Sequence, residues 1–513
     1  MSMHYDAVVI GSGQGGTPLS MAFARSNKKT ALIERAHVGG CCVNEGCTPT
    51  KTMIASGRAA YLSRRGPDYG VYALPLAGLE RNPVYVDMER VRARKRDVVE
   101  RFRAGSERGL RNAGVDVLFG TARFRDEQDA PNPNDEVVGV VTADDIFICT
   151  GERPASPAPE VVDRSSLPPD VILDSTSVQE LGEVPSHLVV VGGGYVGVEF
   201  GQLFRRLGAE VTIVQRAGQL VPREDAPVAQ AMLEILRQDG VRVLLGTRPV
   251  RVERAVPREE EAAASTCGSE SESGSGSVSV SVSVSVSVSV VGPDGASSDL
   301  HASHVLFAAG RVPDTDGLDL AAAGIRTTSR GHIVVDEQLR TSNPRVWALG
   351  DVKGPPAFTH VSYDDFRLLR ANLVERDSRS SPAPVRTTAG RILPYVVYTD
   401  PQLGHVGLHE HEARARSPSA RIQVATMPMS RVARALETDE PQGLMRDVVE
   451  AETQRILGFT CLGVEGGDIM SVVQMAMVSG SSWTALRDAV WAHPSLAESL
   501  NNLWGTLKEG PQE

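Results

Sequence analysis

Hydrophobic and polar residues alternate along this chain with two periods, and both occur close to the N-terminus. The string "YDAVVIG", from residue 5, is a short apolar run that ends at glycines, which predicts a buried β-strand. The next string, "TPLSMAFARSNKK", spaces its apolar residues as a helix does, and "TALIER" is again typical of a strand. The pattern therefore predicts a β-α-β unit and an α/β fold with parallel strands.

The same succession of patterns occurs a second time in "HLVVVGGGYVGVEFGQLFRRLGAEVTIVQR", from residue 187. Three further apolar runs predict buried strands that end at glycine turns: "DDIFICTG", "SHVLFAAG" and "RVWALGD". Residues 389–513 contain no third copy and have the mixed pattern of an α+β domain. We therefore expect two similar parallel-sheet domains followed by a different C-terminal domain.

Two segments depart from this organisation. Residues 84–112 predict one long, heavily charged helix with a solvated face. Residues 259–275 are rich in Glu, Ala, Ser and Gly, and residues 277–290 strictly alternate Ser and Val. Alternation fits a half-buried strand but specifies its register poorly, since every two-residue slip looks the same. We expect an insertion at about residues 255–300 that lengthens a hairpin and has no catalytic role.

Glycine spacing gives each β-α-β unit a dinucleotide-binding fingerprint. A G-x-G-x-x-G turn lets the backbone approach a pyrophosphate, and the N-terminus of the next helix faces the phosphates. The acidic residue expected on the ribose is Glu34, 23 positions after Gly11, and the same step in the second copy ends at Gln215. Two copies with one spacing favour two nucleotide-binding Rossmann domains over a nucleotide-free pair. The fingerprint glycines are Gly11, Gly13 and Gly16 in the first copy, and Gly192, Gly194 and Gly197 in the second.

Composition narrows the class of protein. Apolar residues make up 41% of the chain and charged residues 23%, as in ordinary globular proteins. The net charge of −11 argues against nucleic acid or an anionic membrane as the main partner. No apolar run approaches the roughly 20 residues of a membrane span, and the N-terminus lacks a secretory pattern. We therefore expect a cytoplasmic protein.

Half of the six cysteines lie within seven positions of the string "GGCCVNEGCTPTK": Cys41, Cys42 and Cys47. In the cytoplasm, close cysteines are more often catalytic or metal-binding than structural. A structural zinc site needs four ligands, and neither a second CxxC nor a nearby His pair is evident, so no metal site is predicted. The residues after Cys47 have helical spacing with Pro49 near the first turn, which places Cys47 at a helix N-terminus that favours a thiolate.

Together these features resemble the class I pyridine nucleotide-disulfide oxidoreductases, flavoproteins that include dihydrolipoamide dehydrogenase, glutathione reductase and mercuric reductase. The string "GGCCVNEGCTPTK" is similar to the family motif G-G-T-C-x4-C-x-P-x-K, "RVWALGD" to its second FAD motif, and "HPSLAE" to its C-terminal H-P-x-x-x-E. The resemblance covers nearly the whole chain apart from the insertion. It implies four regions: an FAD domain (1–155), an NAD(P) domain (156–312), a central domain with the FAD return (313–388) and a dimer-interface domain (389–513).

The resemblance also implies roles for the cysteines. Cys42 and Cys47 match the C-x4-C redox disulfide, with Cys47 facing the flavin and Cys42 meeting the substrate. Cys41 takes the position where the family usually has Thr, and we expect it to be a small, mostly buried residue; the alternative is a third thiolate that helps to capture a soft metal ion. Lys51 and Glu199 match an ion pair near the flavin, although spacing alone leaves open a surface lysine and a helix-face glutamate.

At the C-terminus, His493 and Glu498 match the pair that moves protons during thiol–disulfide exchange. In the family this histidine completes the active site of the other subunit, so a homodimer is implied. Trp491 stands where dihydrolipoamide dehydrogenases often carry another His.

The expected cofactors are FAD and NADPH or NADH. Besides the glycines, Glu34 and Lys51, the resemblance points to Asp351 on the ribityl chain. Gln215 lacks the charge that repels a 2′-phosphate and Arg216 can pair with one, which favours NADPH weakly. The remaining expected cofactor-binding residues are Thr150, Gly151, Tyr195 and Gly310.

The predicted function is transfer of electrons from NAD(P)H through FAD to the Cys42–Cys47 disulfide and on to a small or protein-bound disulfide, as in dihydrolipoamide dehydrogenase. One alternative is reduction of Hg(II) or Cu(II), as in mercuric reductase; the chain lacks the vicinal cysteine pair with which well-known mercuric reductases end. The other alternative is a non-catalytic subunit of a 2-oxoacid dehydrogenase complex, which the intact cysteine pair disfavours.

Overall fold

The computed structural model of the protein describes residues 3–72, 84–125, 139–165, 167–255, 285–376 and 384–509. Within these ranges the α-helices are α1 (Gly16–Arg25), α2 (Gly40–Asn44), α3 (Cys47–Arg65), α4 (Met88–Ala113), α5 (Tyr195–Leu207), α6 (Ala226–Gln238), α7 (Thr359–Leu369), α8 (Glu410–Arg416), α9 (Ala433–Glu437), α10 (Gly466–Ser479), α11 (Trp483–Asp488) and α12 (Leu500–Leu503).

The strands of the described residues are β1 (Met3–Ile10), β2 (Thr30–Glu34), β3 (Asp116–Phe119), β4 (Val141–Ile148), β5 (Glu152–Pro154), β6 (Ile172–Leu173), β7 (His187–Val191), β8 (Glu210–Val214), β9 (Arg242–Leu244), β10 (Arg248–Arg254), β11 (Val286–Val291), β12 (Ser297–Ala302), β13 (His304–Phe307), β14 (Arg311–Pro313), β15 (Val346–Ala348), β16 (Pro394–Val397), β17 (Gln402–Gly407), β18 (Ile422–Pro428), β19 (Leu444–Glu450), β20 (Arg455–Gly463) and β21 (Lys508–Glu509).

The chain divides into two compact units. The first unit comprises residues 1–53, 90–155 and 310–393, and the second comprises residues 54–89, 156–309 and 394–513.

A parallel sheet forms the centre of the first unit, with strand order β15-β4-β1-β2-β3. Its central strand, β1, is apolar towards its C-terminal end because both of its faces are covered there, as expected of a parallel sheet. Leu19 and Phe23 of α1 pack on one face with Phe147 and Trp347. This face explains the helical spacing that the sequence shows after the first glycine turn.

A second parallel sheet lies in the second unit, with strand order β6-β13-β7-β8-β9. The strand that precedes each glycine turn, β1 or β7, takes the central position in its sheet, and the next strand of the unit, β2 or β8, pairs beside it. The predicted duplication of a Rossmann-type α/β unit is therefore confirmed.

The Ser/Val alternation predicts a half-buried strand, and the described part of it, β11, is one. Val286, Val288 and Val290 are buried, whereas the intervening serines are partly exposed. β11 lies between β10 and β12 in an antiparallel sheet, and the Ala255 N–H donates to the Ser285 carbonyl where β10 and β11 meet. Residues 256–284, which hold the rest of the repeat, lie outside the described residues.

Residues of the C-terminal segment form an antiparallel sheet with strand order β16-β17-β20-β19-β18-β21. Helix α10 packs against this sheet, and Met470 and Val473 are buried. The expected mixed α+β domain is thus confirmed. None of the described helices is both long enough and apolar enough to cross a membrane.

The predicted bounds of two helices need correction. The sequence predicts that the first helix continues to Lys29, but α1 ends at Arg25. Asn27 has a φ of 63°, and the Lys28 N–H donates to the Phe23 carbonyl, which is the hydrogen bond of a helix-terminating Schellman turn. The long charged helix is confirmed, with its start at Met88 rather than residue 84.

Candidate active site

The first glycine turn is closed so tightly that only glycine fits. Gly11 has a φ of 98°, and a Cβ atom there would lie 2.4 Å from the Cys149 carbonyl oxygen. A Cβ on Gly16 would lie 2.2 Å from the Gly11 carbonyl oxygen. The turn therefore holds α1 against β1 with the helix N-terminus open to an anion.

The second glycine turn repeats this geometry. Gly192 has a φ of 112°, and a Cβ atom there would lie 2.5 Å from the Ala308 carbonyl oxygen. A Cβ on Gly197 would lie 1.9 Å from the Gly192 carbonyl oxygen, whereas Gly194 has open space around it. The two turns are therefore built alike, as the shared spacing predicts.

Glu34 and Gln215 occupy equivalent positions, one at the end of each second strand. The Glu34 Oε2 atom accepts hydrogen bonds from the backbone N–H of Ser12 at 3.1 Å and from its hydroxyl. The Gln215 Oε1 atom accepts one from the Gly193 N–H at 3.1 Å. Each side chain thus stabilises its own glycine turn by accepting a backbone hydrogen bond. Gln215 provides a neutral amide in the second turn at the position where Glu34 provides a carboxylate in the first. Arg216 is exposed beside Gln215.

Four further residues of the first unit have surroundings that fit FAD. Thr150 follows β4, and its Oγ1 atom is buried without a hydrogen-bond partner among the described residues. Gly151 has a φ of 71°, and a Cβ atom added at Gly151 or at Gly310 would have no neighbour within 4 Å among the described residues. Asp351 lies three residues after the end of β15; burial raises its pKa to about 6, and the Glu152 carboxylate adds to that rise. A buried orphan hydroxyl and a desolvated carboxylate are what a polar cofactor chain would satisfy.

The cysteine segment contacts the same glycine turn. Gly39 and Gly40 both have positive φ values, and a Cβ on Gly40 would lie 2.5 Å from the Gly13 Cα. The close approach of these two glycines brings α2, which carries Cys41 and Cys42, to the dinucleotide turn. Glycine at residue 40 is therefore required by both conformation and space.

Cys42 and Cys47 form a hydrogen-bonded thiol pair. The Cys42 pKa is raised, first by the hydrogen bond to Cys47 and then by burial. Cys47 is the first residue of α3, as predicted, and its Sγ lies 3.4 Å from the Thr359 hydroxyl. The helix N-terminus favours negative charge at Cys47, so the proton of this pair is expected on Cys42.

The expectation that Cys41 is mostly buried is wrong. Cys41 is an exposed residue, since the buried side chain of the short helix α2 is that of Val43. Its Sγ lies 3.5 Å from the Arg311 guanidinium. Desolvation by neighbouring protein atoms raises the pKa of the thiol, and Arg311 opposes that rise. The sequence offers no signal for Arg311, which comes from β14, far along the chain.

Lys51 and Glu199 belong to different units, and their pairing stays a prediction. Lys51 lies in the second turn of α3. Glu199 is a buried residue of α5, and its Oε1 atom accepts a hydrogen bond from the Tyr398 N–H at 2.7 Å. Tyr195, the first residue of α5, donates its hydroxyl to Glu224.

The C-terminal motif forms the expected pair. His493 Nδ1 lies 2.8 Å from Glu498 Oε2 and 3.0 Å from Oε1. The His493 side chain is 68% exposed, so its other nitrogen is open to solvent or a partner. Trp491 donates its indole N–H to the Leu486 carbonyl and takes no part in this pair.

Comparison with known proteins decides the family. The family model for pyridine nucleotide-disulphide oxidoreductases matches residues 5–365, and the model for the dimerisation domain of the same family matches residues 393–503. The chain belongs to this family. It is therefore an NAD(P)H-dependent flavoprotein disulfide oxidoreductase that uses FAD, and it carries the family's dimerisation domain.

Three relatives illustrate the range of the family. The probable pyridine nucleotide-disulfide oxidoreductase RclA of Escherichia coli is 32% identical, with 98% of this chain and 99% of RclA covered. A mercuric reductase of Streptomyces lividans is 31% identical, with 97% and 94% covered. A dihydrolipoyl dehydrogenase of Thermus scotoductus is 29% identical, with 97% and 96% covered.

The solved structure of RclA, described as an HOCl-induced flavoprotein disulfide reductase, matches with a TM-score of 0.78 at 31% identity, over 98% of this chain and 99% of that one. A Cu(II) complex of RclA matches equally well. Relatives whose names indicate different reactions thus have nearly equal sequence identity to this chain, and sequence similarity alone does not select an electron acceptor.

Proposed function

We propose that the chain reduces a disulfide substrate with electrons from NADPH, through a redox disulfide between Cys42 and Cys47. The observation that carries this proposal is the hydrogen bond between the thiol of Cys42, on α2, and the thiol of Cys47, the first residue of α3, next to the FAD-type glycine turn. Two thiols in hydrogen-bond contact need little movement to form or break their disulfide.

The surroundings of Cys42 and Cys47 favour different protonation states for the two thiols. When bound, FAD would supply the two electrons, taken from NADPH, that reduce the Cys42–Cys47 disulfide. Cys47, at the helix N-terminus, would keep the negative charge, while the raised pKa of Cys42 keeps the proton there. Cys42 therefore needs a base before it can attack, and His493 is the candidate.

Electrons then pass to the substrate in two thiol–disulfide exchange steps. Cys42, having given its proton to His493, attacks the substrate disulfide; one substrate thiol leaves and takes that proton. The Cys47 thiolate attacks the Cys42–substrate bond, the second substrate thiolate leaves and is protonated from solvent, and the Cys42–Cys47 disulfide forms again. Glu498 orients the imidazole and stabilises it while it is charged. The family resemblance assigns this role to the partner subunit's His493.

NADPH is proposed over NADH because of the second glycine turn. The Gln215 side chain, which accepts a hydrogen bond from Gly193 in this turn, is neutral. Residue 215 therefore offers no carboxylate that would repel a 2′-phosphate. The exposed guanidinium of Arg216 is free to turn towards that phosphate.

Steady-state assays of the purified FAD-loaded protein with NADPH test the substrate class. We expect turnover with a disulfide such as lipoamide or glutathione disulfide that exceeds turnover with Hg(II) or Cu(II). Turnover only with a metal ion would reject the disulfide proposal.

Metal-ion reduction is the second candidate, and the exposed Cys41 favours it. Three cysteine thiols in one short segment suit a soft ion, and relatives include a mercuric reductase and a Cu(II)-bound flavoprotein. Replacement of Cys41 by Thr separates the candidates, because Thr is the usual residue of the family motif. If metal-ion reduction collapses in Cys41→Thr while disulfide reduction survives, Cys41 is a ligand and the second candidate replaces the first.

A further inference from the structure

The second unit contains a buried polar cluster that the mechanism above does not use. Glu224 precedes α6, His405 lies on β17 and His409 caps the N-terminus of α8. These side chains are 4%, 2% and 6% exposed. Burying a carboxylate beside two imidazoles is costly unless their polar atoms are satisfied.

Glu224 is only half satisfied. Its Oε1 atom accepts hydrogen bonds from the hydroxyls of Tyr195 at 2.9 Å and Tyr395 at 2.6 Å. Its Oε2 atom is buried and has no hydrogen-bond partner in the described part of the chain. A buried carboxylate oxygen in that state points to a missing ligand, either an ion or a water molecule.

His409 lies against the same group of side chains. Its Nε2 lies 3.2 Å from the Tyr395 hydroxyl, and its side chain caps α8 by accepting the backbone N–H of Glu412. Both imidazoles are buried beside the Glu224 carboxylate. A neutral imidazole keeps a lone pair for a metal ion.

We propose that Glu224, His405 and His409 form a buried site for a divalent transition-metal ion. Ligand atoms from these three residues lie within 4.8 Å of one another, and they are the group with this property among the His, Cys, Asp and Glu residues that the structure describes. Two imidazoles and one carboxylate are a donor set that Zn²⁺ commonly takes, with the fourth position left for water or another oxygen. The Tyr395 hydroxyl, in contact with both Glu224 and His409, is placed to provide it.

Binding requires a local rearrangement of the two imidazoles. The His405 and His409 rings are stacked, with centroids 4.0 Å apart and planes 16° from parallel. Stacked rings cannot both direct a lone pair at one ion about 2.0–2.1 Å away, so one ring has to turn. His405 would give up one of its present bonds, to the Thr460 hydroxyl at 2.7 Å or to the Gly407 carbonyl at 3.2 Å.

The proposed site does not include the redox thiols. Its residues all belong to the second unit, whereas Cys41, Cys42 and Cys47 belong to the first. The sequence carries a signal for it in "HVGLHEH", which places three of the eleven histidines within seven positions. The third, His411, is exposed, with its Nδ1 3.8 Å from Asp225, and serves as a matched control.

Zinc binding to the full-length, FAD-loaded chain tests the proposal. Because thiolates also bind zinc, the three active-site cysteines are first replaced by serine. Equilibrium dialysis with Zn²⁺ and metal analysis should then give one equivalent per chain. Glu224→Gln and His409→Gln should each weaken this binding more than about tenfold, and His411→Gln should leave it unchanged.

A second measurement uses Co²⁺ and the variant in which only the three active-site cysteines are replaced by serine. Because the three proposed ligands are intact in this variant, its absorption spectrum does not depend on a folding defect in the ligand variants. We expect the visible bands of a four- or five-coordinate ion with nitrogen and oxygen ligands. An octahedral spectrum typical of a solvated ion, the absence of a bound equivalent, or an equal loss of binding in His411→Gln would overturn the proposal.

Discussion

His493 Nδ1 lies 2.8 Å from Glu498 Oε2, so the imidazole is oriented by a carboxylate while its other nitrogen remains open. A proton carrier built in this way is expected to matter only when a substrate thiol must gain or lose a proton. His493 should therefore affect the half-reaction in which the substrate disulfide is reduced. It should not affect the half-reaction in which NADPH reduces the protein's own disulfide.

His493→Gln should therefore lower disulfide turnover by about 100-fold and leave the reduction of the enzyme by NADPH unchanged. Steady-state assays measure the first rate, and anaerobic rapid mixing with NADPH measures the second. His301→Gln, a change at an exposed histidine of the same unit, is the control. Equal slowing of both half-reactions in His493→Gln would show that the residue only supports the fold.

Nucleotide preference should depend on Arg216. If its guanidinium binds the 2′-phosphate, Arg216→Ala should lower kcat/KM for NADPH by about tenfold and hardly change that for NADH. Gln215→Glu should shift the preference towards NADH, since it restores a carboxylate at the ribose position. A wild-type kcat/KM for NADH that equals or exceeds that for NADPH would reject the preference.

Most of the Ser/Val insertion should be dispensable. The β10–β11 hairpin closes between Ala255 and Ser285, and Val286 and Val288 are buried in β11, so these residues must be kept. Deletion of residues 262–284 leaves a loop of six residues (256–261), long enough to connect the hairpin. FAD content and turnover should stay within a few-fold of wild type; loss of activity in a deletion variant that retains FAD would contradict this.

Asp447 should make stability depend on pH. It is fully buried on β19, where one oxygen accepts the Trp504 indole N–H and Oδ1 has no partner among the described residues. Burial raises its pKa to about 8, far above its unfolded value. The folded state therefore keeps a proton that the unfolded state loses, and stability falls as pH rises from about 4 to about 8, by up to about 1.4 kcal/mol per pH unit.

Asp447→Asn removes this titration but keeps an acceptor for Trp504. Its stability relative to wild type, from denaturant melts at pH 5 and pH 8, should rise with pH. A difference that does not change with pH would show that Asp447 is ionised in the folded protein.

Local patterns were sufficient to predict the nucleotide-binding elements. Gly11 and Gly192 have to be glycine because their φ values are positive and a carbonyl lies against each Cα, and such a requirement leaves a fixed spacing in the sequence. Cys47 at the start of α3 could be predicted for a similar reason, since helical spacing and Pro49 mark the helix start.

Features that depend on distant segments could not be predicted in this way. Cys41 was expected to be buried because it takes the position of Thr in the family motif, whereas its contact comes from Arg311, 270 positions along the chain. The cluster of Glu224 with His405 and His409 is of the same kind, because Glu224 comes from a segment far in sequence from the two histidines. Its histidine spacing was visible, but not the carboxylate that completes it.

The most direct test of the central claim is the absorbance of the FAD-loaded protein after two-electron reduction, recorded at long wavelength, where a thiolate in contact with oxidised flavin absorbs. We assign that thiolate to Cys47 and the role of interchange thiol to Cys42. Cys42→Ser should therefore show the band without any reductant, and Cys47→Ser should not show it in either redox state. A band that persists in Cys47→Ser would contradict the assignment of the two thiols.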